Sequence, residues 1–167
     1  MMNATEELVI KSTDGAVEKP LSVLFICTGN TCRSPMAAAL FNDRMKREGR
    51  DARAASAGLY AEADAPITPA AVAALQKAGV AAAEDNDYPA HRAHTVTPDD
   101  VKKADLVLCM SDRHAMELLL RFPEAAGKIE PLPLSVPDPF GGDETVYAAC
   151  LSTLQYALLL RFPEAGA

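Results

Sequence analysis

Ser22-Val23-Leu24-Phe25-Ile26-Cys27-Thr28-Gly29-Asn30-Thr31-Cys32-Arg33-Ser34-Pro35-Met36 decides how this chain folds. Ser22 to Cys27 is a continuous apolar run of the kind buried on both faces of a parallel sheet. Pro35 suits the first turn of a helix read from Met36 to Glu48, and Gly49 suits its end. Between them lies a short polar loop in which a cysteine and an arginine are separated by five residues. A strand–loop–helix that presents those two residues can hold a tetrahedral oxyanion. The thiolate attacks the central atom, while loop amides, a helix N-terminus and a guanidinium grip the oxygens.

The pattern alternates outward from this unit. Ala52 to Ala57 reads as a second strand closed by Gly58, and Thr68-Pro69 starts a helix that Gly79 stops. Thr97-Pro98 starts another short helix. Ala104 to Met110 is a third buried strand, after which Ser111 or Asp112 caps a helix to about Phe122. Lys128 to Leu132 gives a fourth strand, Pro133 to Gly142 a loop, and Glu144 to Arg161 a closing helix. Strands alternating with helices imply an α/β architecture, an open doubly wound four-stranded parallel sheet with helices on both faces. Ligands in such sheets sit beyond the carboxyl ends of the strands, where the cysteine loop falls. Residues 1–20 read as a polar N-terminal extension in which Leu8-Val9-Ile10 could form a short strand, with breakers at Ser12 to Gly15 and Pro20. Residues 21–167 form one domain. Leu118-Leu-Leu-Arg-Phe-Pro-Glu-Ala125 recurs as Leu158 to Ala165. Both copies read as a helix end stopped by proline, and the repeat is too short and isolated for a solenoid.

Composition narrows the classes. The chain has 167 residues, a formal charge of −7 and no tryptophan, so an aliphatic core is expected and a basic nucleic-acid-binding face is not. No apolar run approaches the ~20 residues a membrane span needs. Met1 to Leu21 carries Glu and Lys without a secretory apolar core, so a cytoplasmic location is expected. There, Cys27, Cys32, Cys109 and Cys150 are expected as thiols rather than structural disulfides.

A thiol at neutral pH is mostly protonated, and amides, a helix N-terminus and a neighbouring arginine favour its thiolate. Gly29 permits close backbone approach to a phosphate, and Asn30 tolerates a left-handed conformation. Arg33 can take two phosphate oxygens bidentately, and the Ser34 hydroxyl is near enough in sequence to donate to Cys27. Cys-x5-Arg alone is weakly specific; the strand before it, Gly and Asn within it and Ser-Pro-helix after it make the signal strong. Cys109 and Cys150 read as core residues, and His94 and His114 as solvated.

Ile26 to Pro35 resembles the signature of the low-molecular-weight protein tyrosine phosphatases. Ser56-Ala57-Gly58 is similar to the family's small Ser-Ala-Gly element. His91 before Ala104 to Met110 resembles its histidine loop and third strand, and Asp138-Pro139-Phe140 its general-acid loop. The resemblance covers the chain from about residue 21 onward. It implies a phosphocysteine at Cys27, oxyanion binding by Arg33, and Asp138 as acid and then base on the hydrolytic water. From the residues alone, Asp138 suits a turn as well as catalysis. The resemblance further implies phosphate binding by Thr28, Gly29, Asn30, Thr31, Cys32 and Ser34, Phe140 beside the substrate, and support from Ser56 and His91. His91 would join a network with Asn30 that fixes the loop; otherwise it is a surface histidine. Cys32 matches a position that can protect the nucleophile by a reversible disulfide; equally it is a small buried residue behind the loop. No cofactor and no metal is implied. The substrate would be a phosphorylated protein and the product inorganic phosphate.

Two residues depart from the tyrosine-specific pattern. Thr31 stands where a bulkier aliphatic side chain is usual, and Phe140-Gly141-Gly142 replaces a pair of tyrosines. Both resemble the bacterial protein arginine phosphatase branch, which cleaves the P–N bond of phosphoarginine; phosphotyrosine hydrolysis is the alternative. An arsenate-reductase-type redox enzyme would need closely spaced shuttle cysteines, which Cys109 and Cys150 are not. A zinc module of Cys27, Cys32, His91 and His94 would leave Arg33 and Asp138 without a role. A phosphopeptide-binding pseudoenzyme would not need nucleophile, arginine and acid together.

Overall fold

The computed structural model describes residues 9–11 and 18–164. Strand β1 (Val9–Lys11) runs antiparallel to the start of β2 (Glu18–Cys27), with Val9 opposite Pro20. From Leu21 onward β2 is flanked by parallel partners: Leu24 lies opposite Ala55 of β3 (Ala52–Gly58) on one side and Val107 of β4 (Leu106–Cys109) on the other. Strand β5 (Ile129–Pro131) pairs with β4. The parallel order β3-β2-β4-β5 is the four-stranded sheet read from the sequence, and β1 adds a short antiparallel edge. Leu8 and Ser12 to Gly15 lie outside the described residues.

The uniform apolarity of β2 follows from its central place. Val23 and Phe25 pack into the core beneath α1 (Arg33–Arg47), α2 (Pro69–Lys77) and α5 (Glu144–Arg161). Leu24 and Ile26 pack on the opposite face with α3 (Pro98–Lys103) and α4 (Asp112–Arg121). Alternate side chains of one strand thus feed two cores, as period-two geometry dictates. On the first face Phe25, Phe41 and Phe162 stack edge-to-face, with ring centroids 6.0 and 5.1 Å apart; each such pair adds about 1 kcal/mol beyond its buried area.

Helix α1 begins at Arg33, three residues before the expected Met36. Pro35 does not prevent this, because the first-turn amides have no partner within the helix; its first bond is Met36 N–H to Cys32 O, at 3.1 Å. Thr68 and Thr97 cap α2 and α3 as their sequences predict, and Ser111 rather than Asp112 caps α4, accepting from His114 N–H. β4 is shorter than the apolar run Ala104 to Met110, since Ala104 N–H still bonds Asp100 O at the end of α3. The repeated octapeptide has a physical account: Phe122 and Phe162 close α4 and α5 alike, each donating 2.8 Å to the carbonyl four residues earlier (Leu118, Leu158). Leu-Leu-Leu-Arg-Phe-Pro is one helix-stop device used twice; Ala165 lies outside the described residues.

The chain leaves β2, builds β3 on one side through α1, and returns to build β4 on the other. That reversal opens a crevice at the carboxyl end of β2, directly at the cysteine loop.

Candidate active site

Cys27 ends β2 and is 2 % exposed. Its Sγ accepts Asn30 N–H at 3.3 Å and lies 2.9 Å from Ser34 Oγ. Ser34 Oγ accepts from Asn30 Nδ2 at 2.8 Å, which leaves its proton for Cys27 Sγ or, at 3.4 Å, for Ala57 O.

The loop backbone turns at Asn30, whose φ is +59° and which is fully buried. Asparagine enters this region more readily than most residues, and the surroundings use every polar group it has. Its Nδ2 also donates to Ser56 Oγ at 3.0 Å, its Oδ1 accepts His94 N–H at 3.1 Å, and its carbonyl accepts His91 Nε2–H at 2.8 Å. Burial lowers the His91 pKa, partly opposed by that bond to Asn30. β3 seals the turn from below. A Cβ on Gly58 would sit 2.6 Å from Thr28 O, so only glycine fits there. Gly29, the glycine the sequence singles out, has no such crowding, since a Cβ there meets only Thr31 Oγ1 at 4.0 Å.

Cys32 faces away from this cluster. Its Sγ lies 3.2 Å from Tyr147 Oη on α5 and 3.6 Å from Thr68 Oγ1 at the start of α2. Thr68 N–H donates to Thr31 O at 3.0 Å, so the α2 cap also holds the Thr31 backbone. Burial, reinforced by the Cys32 contact, pushes the Tyr147 phenol up to about 12. Cys109 and Cys150 are core thiols, each pushed by burial to about 12.

Arg33 and Asp138 meet at a cavity of about 490 Å³, whose lining includes Thr28, Tyr60, Ser111, Arg113, His114, Glu117 and Val136. Arg33 is buried; its NH1 donates to Val136 O at 3.0 Å and its NH2 to Thr28 Oγ1 at 3.4 Å. Arg33 NH2 also stands 3.8 Å from Asp138 Oδ2. The Asp138 side chain is 57 % exposed, and its Oδ1 accepts Phe140 N–H at 3.1 Å. Phe140 is 71 % exposed and lies outside the cavity lining. The aromatic that lines it is Tyr60, which the sequence does not single out, with the Arg121 guanidinium 4.6 Å from its ring centroid.

Two histidines read as solvated are engaged. His94 Nε2 lies 2.9 Å from Asp100 Oδ2. His114 is 8 % exposed, with Nδ1 2.7 Å from Ser111 Oγ and Nε2 2.9 Å from Thr28 Oγ1. Burial first, and the Arg33 charge second, press its pKa down to about 4. The readable signal was positional: three residues past an N-cap serine at the carboxyl end of a central strand, a side chain points back at the crevice. Among the described residues no three His, Cys, Asp or Glu side chains converge as metal ligands. His91 and His94 are each committed to the partners named above rather than to a set with Cys27 and Cys32.

The model of the family described as low molecular weight phosphotyrosine protein phosphatase matches residues 22–160. A protein-arginine-phosphatase of Bacillus subtilis is 34 % identical over 145 residues, covering 83 % of this chain and 92 % of that protein. The crystal structure of a low molecular weight protein tyrosine phosphatase from T. tengcongensis superposes with a TM-score of 0.76 at 39 % identity, over 83 % of this chain and 95 % of that one. A YwlE arginine phosphatase, in a cysteine-to-serine variant whose active-site serine is phosphorylated, superposes with a TM-score of 0.76 at 34 % identity, over 83 % and 91 % of the two chains.

Proposed function

We propose, on the premise that this chain belongs to the low molecular weight phosphotyrosine protein phosphatase family, that it removes phosphate from phosphorylated arginine in proteins. The protein is a cysteine-dependent protein phosphatase. Cys27 Sγ attacks phosphorus along the axis of the scissile bond, the P–N bond breaks, and Asp138 delivers a proton to the leaving guanidine nitrogen. Arg33 and the loop amides from Thr28 to Ser34 hold the three equatorial oxygens. Asp138, now a carboxylate, takes a proton from water as that water attacks the phosphocysteine, releasing inorganic phosphate and free Cys27. The supporting geometry is Ser34 Oγ 2.9 Å from Cys27 Sγ, with Arg33 and Asp138 3.8 Å apart at the cavity rim.

One observation carries the choice of arginine. The cavity has Tyr60 as its aromatic lining and, beside Arg33 and Arg113, two carboxylates, Asp138 and a Glu117 paired with Arg121 at 2.7 Å, while Phe140 lies outside it. A phenyl ring gains most between two aromatic walls; a phosphoguanidinium gains from carboxylates that accept its N–H groups. Thr31, half-buried in the loop, is smaller than the aliphatic residue usual in the tyrosine-specific pattern. The relative in B. subtilis named for this activity supports the same choice. Phosphotyrosine is the second reading, favoured by the structural likeness to the T. tengcongensis enzyme.

Phosphoarginine and phosphotyrosine peptides assayed side by side decide between them. The unaltered protein prefers phosphoarginine, and Thr31→Ile moves the ratio toward phosphotyrosine by about tenfold or more, the scale on which one methylene in a pocket discriminates between substrates. No turnover of phosphoarginine by the unaltered protein overturns the substrate assignment. A cytoplasmic phosphoprotein partner, without nucleic acid or membrane, completes the proposal. It draws on the formal charge of −7 and on the finding that no helix among the described residues is long and apolar enough to cross a membrane.

A further inference from the structure

Thr28 Oγ1 stands at a junction. Arg33 NH2, which can only donate, is 3.4 Å away, and His114 Nε2 is 2.9 Å away. On the far side of the imidazole, Ser111 Oγ accepts His114 N–H at 3.3 Å as the cap of α4 and lies 2.7 Å from Nδ1. The cap engages one Ser111 lone pair and leaves the hydroxyl proton free to face Nδ1. In the tautomer that uses this proton, Nδ1 accepts from Ser111 and Nε2 carries the ring proton toward Thr28. A hydroxyl has two lone pairs and one hydrogen. With its lone pairs taken by Arg33 and His114, the Thr28 hydrogen has one direction left, the cavity that Thr28 lines.

We infer that His114 is a positioning residue which, by donating Nε2–H to Thr28 Oγ1, aims the Thr28 hydroxyl as a hydrogen-bond donor at the phosphoryl group attacked by Cys27, with Ser111 fixing the tautomer. This rests on the phosphatase reading above. The depressed pKa of His114, about 4 under burial and the Arg33 charge, keeps the imidazole neutral where such an enzyme works. Neutrality preserves the Ser111–Nδ1 bond, in which Nδ1 accepts. The same geometry ties Arg33 to α4, because the guanidinium and the imidazole share one oxygen. The preorganised donor requires no reorientation when charge shifts onto the phosphoryl oxygens.

The experiment is a cycle of His114→Leu, Thr28→Val and the double variant, with His114→Gln as the rescue, since a glutamine amide can place an N–H near the position of Nε2. Turnover of p-nitrophenyl phosphate and of phosphoarginine peptide is followed. His114→Leu and Thr28→Val each lower kcat by about tenfold to hundredfold, the scale of removing one preorganised donor, with KM little changed. The double variant is no worse than either alone, and His114→Gln recovers most of the activity. Additive effects, a Gln variant as poor as Leu, or a Leu variant as active as the unaltered protein overturn the inference. A second measurement needs no variant: the imidazole 15N shifts of the unaltered protein report the Nε2–H tautomer, and an Nδ1–H tautomer sinks the proposal. If the unaltered protein turns over neither substrate, the phosphatase reading fails by itself, and the 15N shifts still decide the arrangement of His114.

Discussion

The Cys27–Pro35 loop has two faces built on different terms. The buried face is closed: the amide group of Asn30 bonds Ser34, Ser56 and the His94 backbone, and its carbonyl takes the His91 proton. The cavity face is left with capacity: Arg33 touches Thr28 at 3.4 Å and Asp138 at 3.8 Å, and Asp138 is largely solvated. The contrast shows how an enzyme can keep a left-handed, crowded turn at its centre. Backbone strain of about 1–3 kcal/mol persists only where surrounding contacts over-determine it, and here they are concentrated behind the reacting groups. The front can then keep donors in reserve for a phosphate.

Variants on each face sharpen this division. Removing the proposed nucleophile with Cys27→Ser acts on chemistry alone and lowers kcat by about 10⁴-fold or more, while thermal unfolding stays near that of the unaltered protein. A large fall in Tm would mean that the sulfur also holds the buried face together. Gly58→Ala attacks the buried face. Its Cβ meets Thr28 O at 2.6 Å, so urea unfolding should show a loss of about 3 kcal/mol together with lower kcat, because the displaced carbonyl belongs to the loop. A stable and active Gly58→Ala protein would show that the turn is softer than its packing.

His114 tests the seam between the faces through pH. Its folded pKa, about 4, lies below the ordinary 6.5, so between these values the unfolded chain binds more protons. Stability therefore rises with pH across that window and is lost as pH falls from about 6.5 toward 4, by at most about 3 kcal/mol. Comparing the unaltered protein with His114→Gln by urea titration at several pH values isolates this part from the carboxylates, and equal slopes would break the assignment. The smallest effect belongs to Tyr147→Phe. It removes the Oη contacts to Cys32 and Thr68 at 3.2 and 3.3 Å and should cost about 1 kcal/mol, read as a small fall in Tm.

Much of this was legible because it is local. Apolar runs announced β2 and β4, Thr68 and Thr97 cap their helices as their side chains invite, and Asn30 marked the left-handed turn. What escaped depended on partners distant in sequence. Gly29 looked like the glycine of close approach, yet Gly58, brought alongside by the register of β3 on β2, is the crowded one. His114 reads as solvated in the sequence, yet α4 packs it against Thr28, 86 positions away.

By itself the sequence determined that a strand, an anion-sized loop and a helix follow one another at Ser22 to Glu48, since hydrophobic period, capping and glycine or asparagine tolerance act within a few residues. Only the tertiary structure decided which groups share the cavity. Arg33, Asp138, Tyr60 and His114 come from four separate segments, and their juxtaposition is fixed by strand order and helix packing, long-range contacts that no local pattern encodes.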